Sequence, residues 1–264
     1  MFLKIRKVTK YSLLFFSVFL VSTYYVYAGN KENIESGNDS IPATSPKFSY
    51  KQLVVPVSLM TYGTIEVILA PKNRLLNYAI GHEVINHQPE KFQIDDISQY
   101  VPAASVYALN LVGIKGNNNF KDRTMILGIS SLFVAASVNG IKYTAKVERP
   151  DKSARNSFPS GHTAIAFMGA EFLWQEYKDV SIWYGIAGYT IAAGTGAFRI
   201  YNNKHWFGDV AFGAGVGILS TKLAYWIYPS ITRKFSGSRK NGKNMAFYPF
   251  YNGQQGGLSY SIQL

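Results

Sequence analysis

Three short stretches carry residues whose types and spacing suit phosphate chemistry. The first is "KYTAKVERP", in which six residues separate Lys142 from Arg149 and Pro150. The second is "PSGH", formed by Pro159, Ser160, Gly161 and His162. The third is "RIYNNKHWFGD", in which five residues separate Arg199 from His205 and three more lead to Asp209. A lysine and two arginines with no surplus of acids in these stretches suit a polyanion, because guanidinium forks match phosphate oxygens. "PSGH" breaks the chain and an apolar helix starts at once. Free N–H groups of a helix N-terminus then point at the same place, and Gly161 lets the backbone come close to a ligand. His205 and Asp209, four apart, share a helix face. A carboxylate on one ring nitrogen fixes the tautomer and leaves the other nitrogen free to attack. His162, on the opposite wall, could protonate the leaving oxygen. A histidine nucleophile gives a phosphohistidine that water hydrolyses. The cationic groups can stabilise the transition-state charge, so the chemistry requires neither metal nor cofactor.

Something must bring these stretches together. Six helix-like segments run at about 51–69, 97–114, 122–145, 161–178, 181–199 and 205–228, with short loops such as "GNNNF" and "KD" between several of them. That pattern predicts an all-α, six-helix bundle. In an up-down bundle the third helix ends where the fourth begins, and the fifth ends where the sixth begins, so all three stretches fall on one rim. Asn110 and Asn139, in apolar helices, are expected to bond across the bundle. His82 and His87 sit in a charged connector and read as solvated. The alternation in "LSYSIQL" after "NGQQGG" predicts a short C-terminal β-hairpin.

The ends of the chain have a different character. A basic stretch before "YSLLFFSVFLV", then "VYA", reads as a signal peptide over 1–28. A polar linker follows at 29–47, the helical domain at 48–230, and a basic tail with the hairpin at 231–264. Of the net charge of +12, much lies at the two termini (Lys4, Arg6, Lys7 and Lys10; Arg233, Lys234, Arg239, Lys240 and Lys243). This favours an anionic membrane surface over nucleic acid, for which no reader motif is present. The chain has no cysteine, which excludes disulfides and thiol chemistry.

Residues 124–141 and 180–198 are uncharged and long enough to span a membrane. Glu66, Glu171 and Lys222 interrupt other segments at a cost inside lipid. If all six helices spanned after export of residue 29, the basic tail would end outside, against the positive-inside rule. A bundle soluble in the periplasm removes that conflict, and so does an early helix, the Glu66 one, lying in the interface. Either arrangement puts the rim on the exported side. Trp183, Tyr184, Trp206, Tyr225 and Trp226 suit an interfacial belt and a soluble core equally. Nothing in the sequence sets an oligomeric state.

Taken singly, each stretch has an ordinary explanation: cations at a helix C-terminus, a serine cap, an i,i+4 pair. Taken together and in order, they resemble the three-part signature of the phosphatidic acid phosphatase type 2 superfamily, which includes bacterial acid phosphatases and vanadium haloperoxidases. The resemblance covers about 97–228. It implies His205 as nucleophile, Asp209 as its partner and His162 as general acid. It also implies Lys142, Arg149, Ser160, Gly161 and Arg199 as phosphate binders. The family usually has serine before the third-motif arginine, where this chain has Phe198, so one hydroxyl donor is lost. The implied activity is hydrolysis of a phosphate monoester or pyrophosphate on a membrane lipid: undecaprenyl pyrophosphate, phosphatidate, phosphatidylglycerol phosphate or lipid A. A soluble non-specific acid phosphatase and, more distantly, a vanadate-dependent haloperoxidase are the other readings.

Overall fold

The structure, a computed structural model, describes residues 49–69, 93–237, 244–251 and 256–263. The signal peptide, the linker, His82 and His87 lie outside the described residues. A 3-10 turn leads into α1 (Val54–Thr64), which continues as a π-helical turn to Leu69. Then come α2 (Ile94–Ser98), α3 (Val101–Leu111), α4 (Phe120–Ala145), α5 (Gly161–Tyr177), α6 (Ile182–Tyr201) and α7 (Phe207–Gly237). The second expected helix is thus two, with a turn at 99–100 and Pro102 near the start of the longer one. The last runs through Pro229 to Gly237, past the boundary read at 230. Strands β1 (Asn244–Tyr251) and β2 (Gly256–Gln263) pair antiparallel, with Asn244 opposite Gln263 and Tyr251 opposite Gly256.

Local chemistry starts the long helices where they start. Asn119 caps α4 by accepting from the Asp122 amide at 2.9 Å, and Ser181 caps α6 through the Trp183 amide at 3.3 Å. Ser160 caps α5, its Oγ meeting the Thr163 hydroxyl at 2.9 Å. The bundle is built around α5, whose small residues Ala164, Ala166 and Ala170 and large Phe172 and Tyr177 are fully enclosed. Against it lies α7 at very short range. A Cβ on Gly213 would sit 2.5 Å from the Ser160 carbonyl oxygen, and one on Gly217 2.3 Å from that of Ala164. Only glycine permits that approach, and it fixes the start of α5 against the start of α7.

The charges that interrupt apolar segments face inward. Lys222 pairs with Glu171 at 2.6 Å, and Gln175 and Tyr189 donate to the same carboxylate. Glu176 accepts from Tyr225 at 2.6 Å and from Asn118, with Arg123 beside it at 3.9 Å. Glu66 is buried too, bonded by Tyr62 and packed against Gly208. The Glu66 segment is therefore part of the bundle's interior packing. Asn139 departs from expectation: it bonds back to Ala135 O in its own helix and is exposed.

Among the described residues, α4 and residues Phe207–Thr232 of α7 are long and apolar enough to cross a membrane. The second long apolar segment is thus in α7, where 180–198 was expected. The two differ in setting. Of the apolar stretch, 22% is buried in α4 and 72% in α7. The outer face of α4 carries Met125 and Leu132 into the surroundings, while α7 is a core helix. The aromatic residues divide likewise, Trp183 outside and Tyr225 inside.

Candidate active site

At one end of the bundle the three stretches are stitched together. Lys146 ends α4 in the left-handed conformation (φ 47°), turning the chain into the loop that holds Arg149. Ser157 N donates to Val147 O at 2.9 Å, and Lys142 Nζ donates to Asn156 O. The loop is tied to the third stretch by Trp206 Nε1 on Glu148 O at 2.9 Å and by the Lys204–Asp151 pair at 2.7 Å. The second stretch joins the third through Ser160 N, which donates to Asp209 O at 3.0 Å. Lys142 lies within electrostatic range of Arg149, Arg199 and Asp209, and His205 within range of Lys142 and Arg199. Lys142, Arg149, Ser160, Gly161, His162, Arg199, His205 and Asp209 thus share one rim.

His205 and Asp209 form the buried wall of this site. His205 is 2% exposed and Asp209 0%. After α6 the chain folds back, and His205 lies in the bend before α7 rather than on one helix face with Asp209 as the spacing suggested; its amide donates to Arg199 O at 3.3 Å. Imidazole Nδ1 stands 3.5 Å from Asp209 Oδ2, at the outer edge of a hydrogen bond. Contacts of this kind are often long before a ligand binds. The same Oδ2 accepts from Trp206 N at 2.9 Å and from Ser157 Oγ. Burial pushes the His205 pKa down to about 4, against the opposing pull of Asp209. The ring is therefore neutral at pH 7, with Nδ1 toward Asp209 and Nε2 left for another partner.

The cations are only partly satisfied by protein. Arg149 Nε and Arg199 Nε are both buried without a hydrogen-bond partner among the described residues. A buried guanidinium N–H without an acceptor is uncommon, and an anion in the site would supply one. The N-terminus of α5 opens on the same rim. A Cβ on Gly161 would meet only Val138 Cγ1, at 3.6 Å, so helix packing leaves this position open. Phe198 packs edge-on against Tyr201 and offers no donor.

Acids outside the three stretches also reach the rim. Helix α2 brings two carboxylates that the spacing did not reveal. Asp95, 1% exposed, bonds Arg199 and accepts from Asn202 Nδ2 at 3.1 Å. Asp96 Oδ1 lies 2.8 Å from His162 Nε2 and 3.8 Å from Arg199. Asp95, Asp96 and His162 place ligand atoms within 4.8 Å of one another, a spacing a metal could use. Arg199 bonds Asp95 and His162 bonds Asp96, so the cluster reads as an ion-pair network.

A family model described as the PAP2 superfamily matches residues 123–233, a span that contains all three stretches. That segment belongs to the PAP2 superfamily. Asp95 and Asp96 precede the PAP2 segment. A lipid A 1-phosphatase of Porphyromonas gingivalis is 42% identical over 146 residues, 55% of this chain and 33% of the relative. The bacitracin transport permease protein BcrC of Bacillus licheniformis is 29% identical over 138 residues, 47% of this chain and 66% of the relative. The chain thus spans about a third of the first relative's length. Among solved structures, Aquifex aeolicus LpxE is 21% identical, with a TM-score of 0.43, and the match covers 56% of this chain and 94% of that one. The first transmembrane PAP2 type phosphatidylglycerolphosphate phosphatase from Bacillus subtilis is 22% identical, with a TM-score of 0.44, over 68% of this chain and 96% of that one.

Proposed function

We propose that the chain is a phosphatase that removes a phosphate group from a membrane lipid through a phosphohistidine on His205. The observation that carries this reading is the neutral, buried His205, backed by Asp209, beside two buried guanidinium groups whose Nε–H groups lack an acceptor among the described residues. Phosphate oxygens would be held by Lys142, Arg149, Arg199, Ser160 and the α5 N-terminus at Gly161. His205 Nε2 attacks phosphorus and the bond to the lipid oxygen breaks. His162 gives that oxygen its proton. Asp209 stabilises the developing imidazolium. Water then attacks phosphorus, losing its proton to His162, the P–N bond breaks and phosphate leaves. The cations stabilise charge that grows in each transition state.

Two observations support a lipid substrate. The apolar outer face of α4 suits contact with acyl chains. The 42%-identical relative bears the name lipid A 1-phosphatase, which makes a lipid A phosphate the first substrate to try. The reading places the bundle in or on the membrane, its rim on the exported side of the signal peptide read at 1–28.

The test is phosphate release by the purified chain with chelator present. Detergent-dispersed lipid A, phosphatidate and a prenyl pyrophosphate are compared with a small soluble phosphate ester, with His205→Ala as control. Release from a lipid that is lost in His205→Ala supports the proposal. Release mainly from the soluble ester would turn it into a non-specific acid phosphatase. Release unaffected by His205→Ala would overturn the assignment of the site.

A further inference from the structure

The carboxylate on His162 comes from 66 positions earlier in the chain, outside the PAP2 segment. Three contacts fix its carrier. Asp95 bonds Arg199 and Asn202, and Ser98 shares a hydrogen bond of 2.8 Å with Thr195. These hold α2 along the last two turns of α6, with Asp95 fully buried. The next residue, Asp96, is then set over His162. Asp95 and Asp96 both lie in the first turn of α2, where a negative charge complements the partial positive charge of a helix N-terminus. That accounts for an acid at 96 but not for a 2.8 Å bond from its carboxylate to a ring nitrogen on another helix.

We propose that Asp96 is a positioning residue for His162: it holds the imidazole by Nε2 and favours the imidazolium, leaving Nδ1 to deliver the proton to the leaving oxygen. This rests on the phosphatase reading above. A general acid must carry its proton at the working pH. Burial and the Arg199 guanidinium on α6 both hold His162 below the usual imidazole range, while Asp96 and then Asp95 on α2 pull it back. Across the site stand Lys142 on α4, Arg149 in the loop and the His205–Asp209 pair, with the Lys204–Asp151 pair in the loops beyond. Asp96 is the carboxylate in contact with the ring. Without it, burial and Arg199 would act with only Asp95 to oppose them.

The experiment uses the full chain in detergent, as wild type, Asp96→Asn and Asp96→Glu, with two readouts. One is the pH profile of kcat/KM for phosphate release from lipid A. The other is the titration of His162 by NMR of 13C-labelled histidine, assigned with His162→Gln. Asp96→Asn is expected to move the alkaline limb and the His162 midpoint down together, by about one pH unit. kcat at pH 7 should fall about tenfold, with KM within about threefold of wild type. Asp96→Glu should restore most of both. An alkaline limb and a midpoint that stay in place in Asp96→Asn would overturn the proposal. If the wild type released no phosphate, the phosphatase reading would fall, and the NMR midpoint alone would decide whether Asp96 governs His162. Asp96 is 52% exposed, so Asp96→Asn should unfold at the wild-type temperature.

Discussion

The rim holds two histidine–aspartate pairs that differ in nearly every respect. His205 and Asp209 belong to one motif, fully enclosed, with a loose 3.5 Å contact. His162 and Asp96 come from distant parts of the chain, with 30% and 52% of their side chains exposed, and lie 2.8 Å apart. The same two residue types are thus placed in opposite circumstances. Enclosure keeps His205 neutral, as a nucleophile must be. At His162 burial and Arg199 also disfavour the charge, but a close carboxylate opposes them, as an acid that must carry its proton requires. Environments that push two titrating groups apart separate the roles of base and acid.

The largest test removes one side of this contrast. His205→Ala should lower kcat by at least about 10⁴-fold, as loss of a nucleophile does. A pH scan sharpens the contrast without touching either pair. Because the folded-state pKa of His205 is depressed, its stabilising contribution is present above the unfolded value near 6.5. It is lost as pH falls from there to about 4, a difference of about 3 kcal/mol at most. Unfolding temperature should therefore drop over that window in wild type, and drop less in His205→Gln. Activity should follow the same logic. kcat/KM should decline below about pH 4, where His205 gains a proton, and again as pH rises through the depressed pKa of His162, giving an acidic optimum.

Gly217→Ala should disturb both pairs at once, because its new methyl group meets backbone at 2.3 Å and must push α7 off α5. The cost should be about 3 kcal/mol, read as a fall in unfolding temperature with activity lost in parallel. The smallest expected effect is confined to the enclosed pair. Ser157→Ala removes one donor from Asp209 and should cost about tenfold in kcat, the worth of a hydrogen bond to a charged group. An unchanged kcat would mean that Trp206 N alone holds the carboxylate.

How much of this the sequence discloses follows the same division. His205 and Asp209 are legible from their place in the third stretch, although His205 sits in the bend before α7 and not on the helix, and Arg199 because a short loop fixes its relation to them. Ser160 announces itself as a cap. Asp95 and Asp96 were illegible. They sit on a helix of five residues, too short for any hydrophobic period, and their partners are set by tertiary packing alone. Ser157 was hidden in the same way, one serine in a loop with nothing in its spacing to single it out. Glu66, Glu171 and Lys222 looked like costs to a spanning helix. They could be recognised as inward-facing only once Tyr62, Tyr189 and the close contact of α5 with α7 were in place. The long apolar run of α4 identifies a helix but not its surroundings, which is why the C-terminal helix, and not 180–198, carries the second candidate span.

In mechanical terms α5 is a strut pinned at both ends. Ser160 at its head is fastened to Asp209, and Glu176 at its foot is fastened to Asn118, Arg123 and Tyr225. Such a member can neither piston nor swivel without tearing a buried polar joint at one end or the other. Sideways load from the surroundings falls first on α4, which wears its apolar face outward. Of the groups around the cradle, Lys142 rides on that outer helix, while His162 rides on the pinned one.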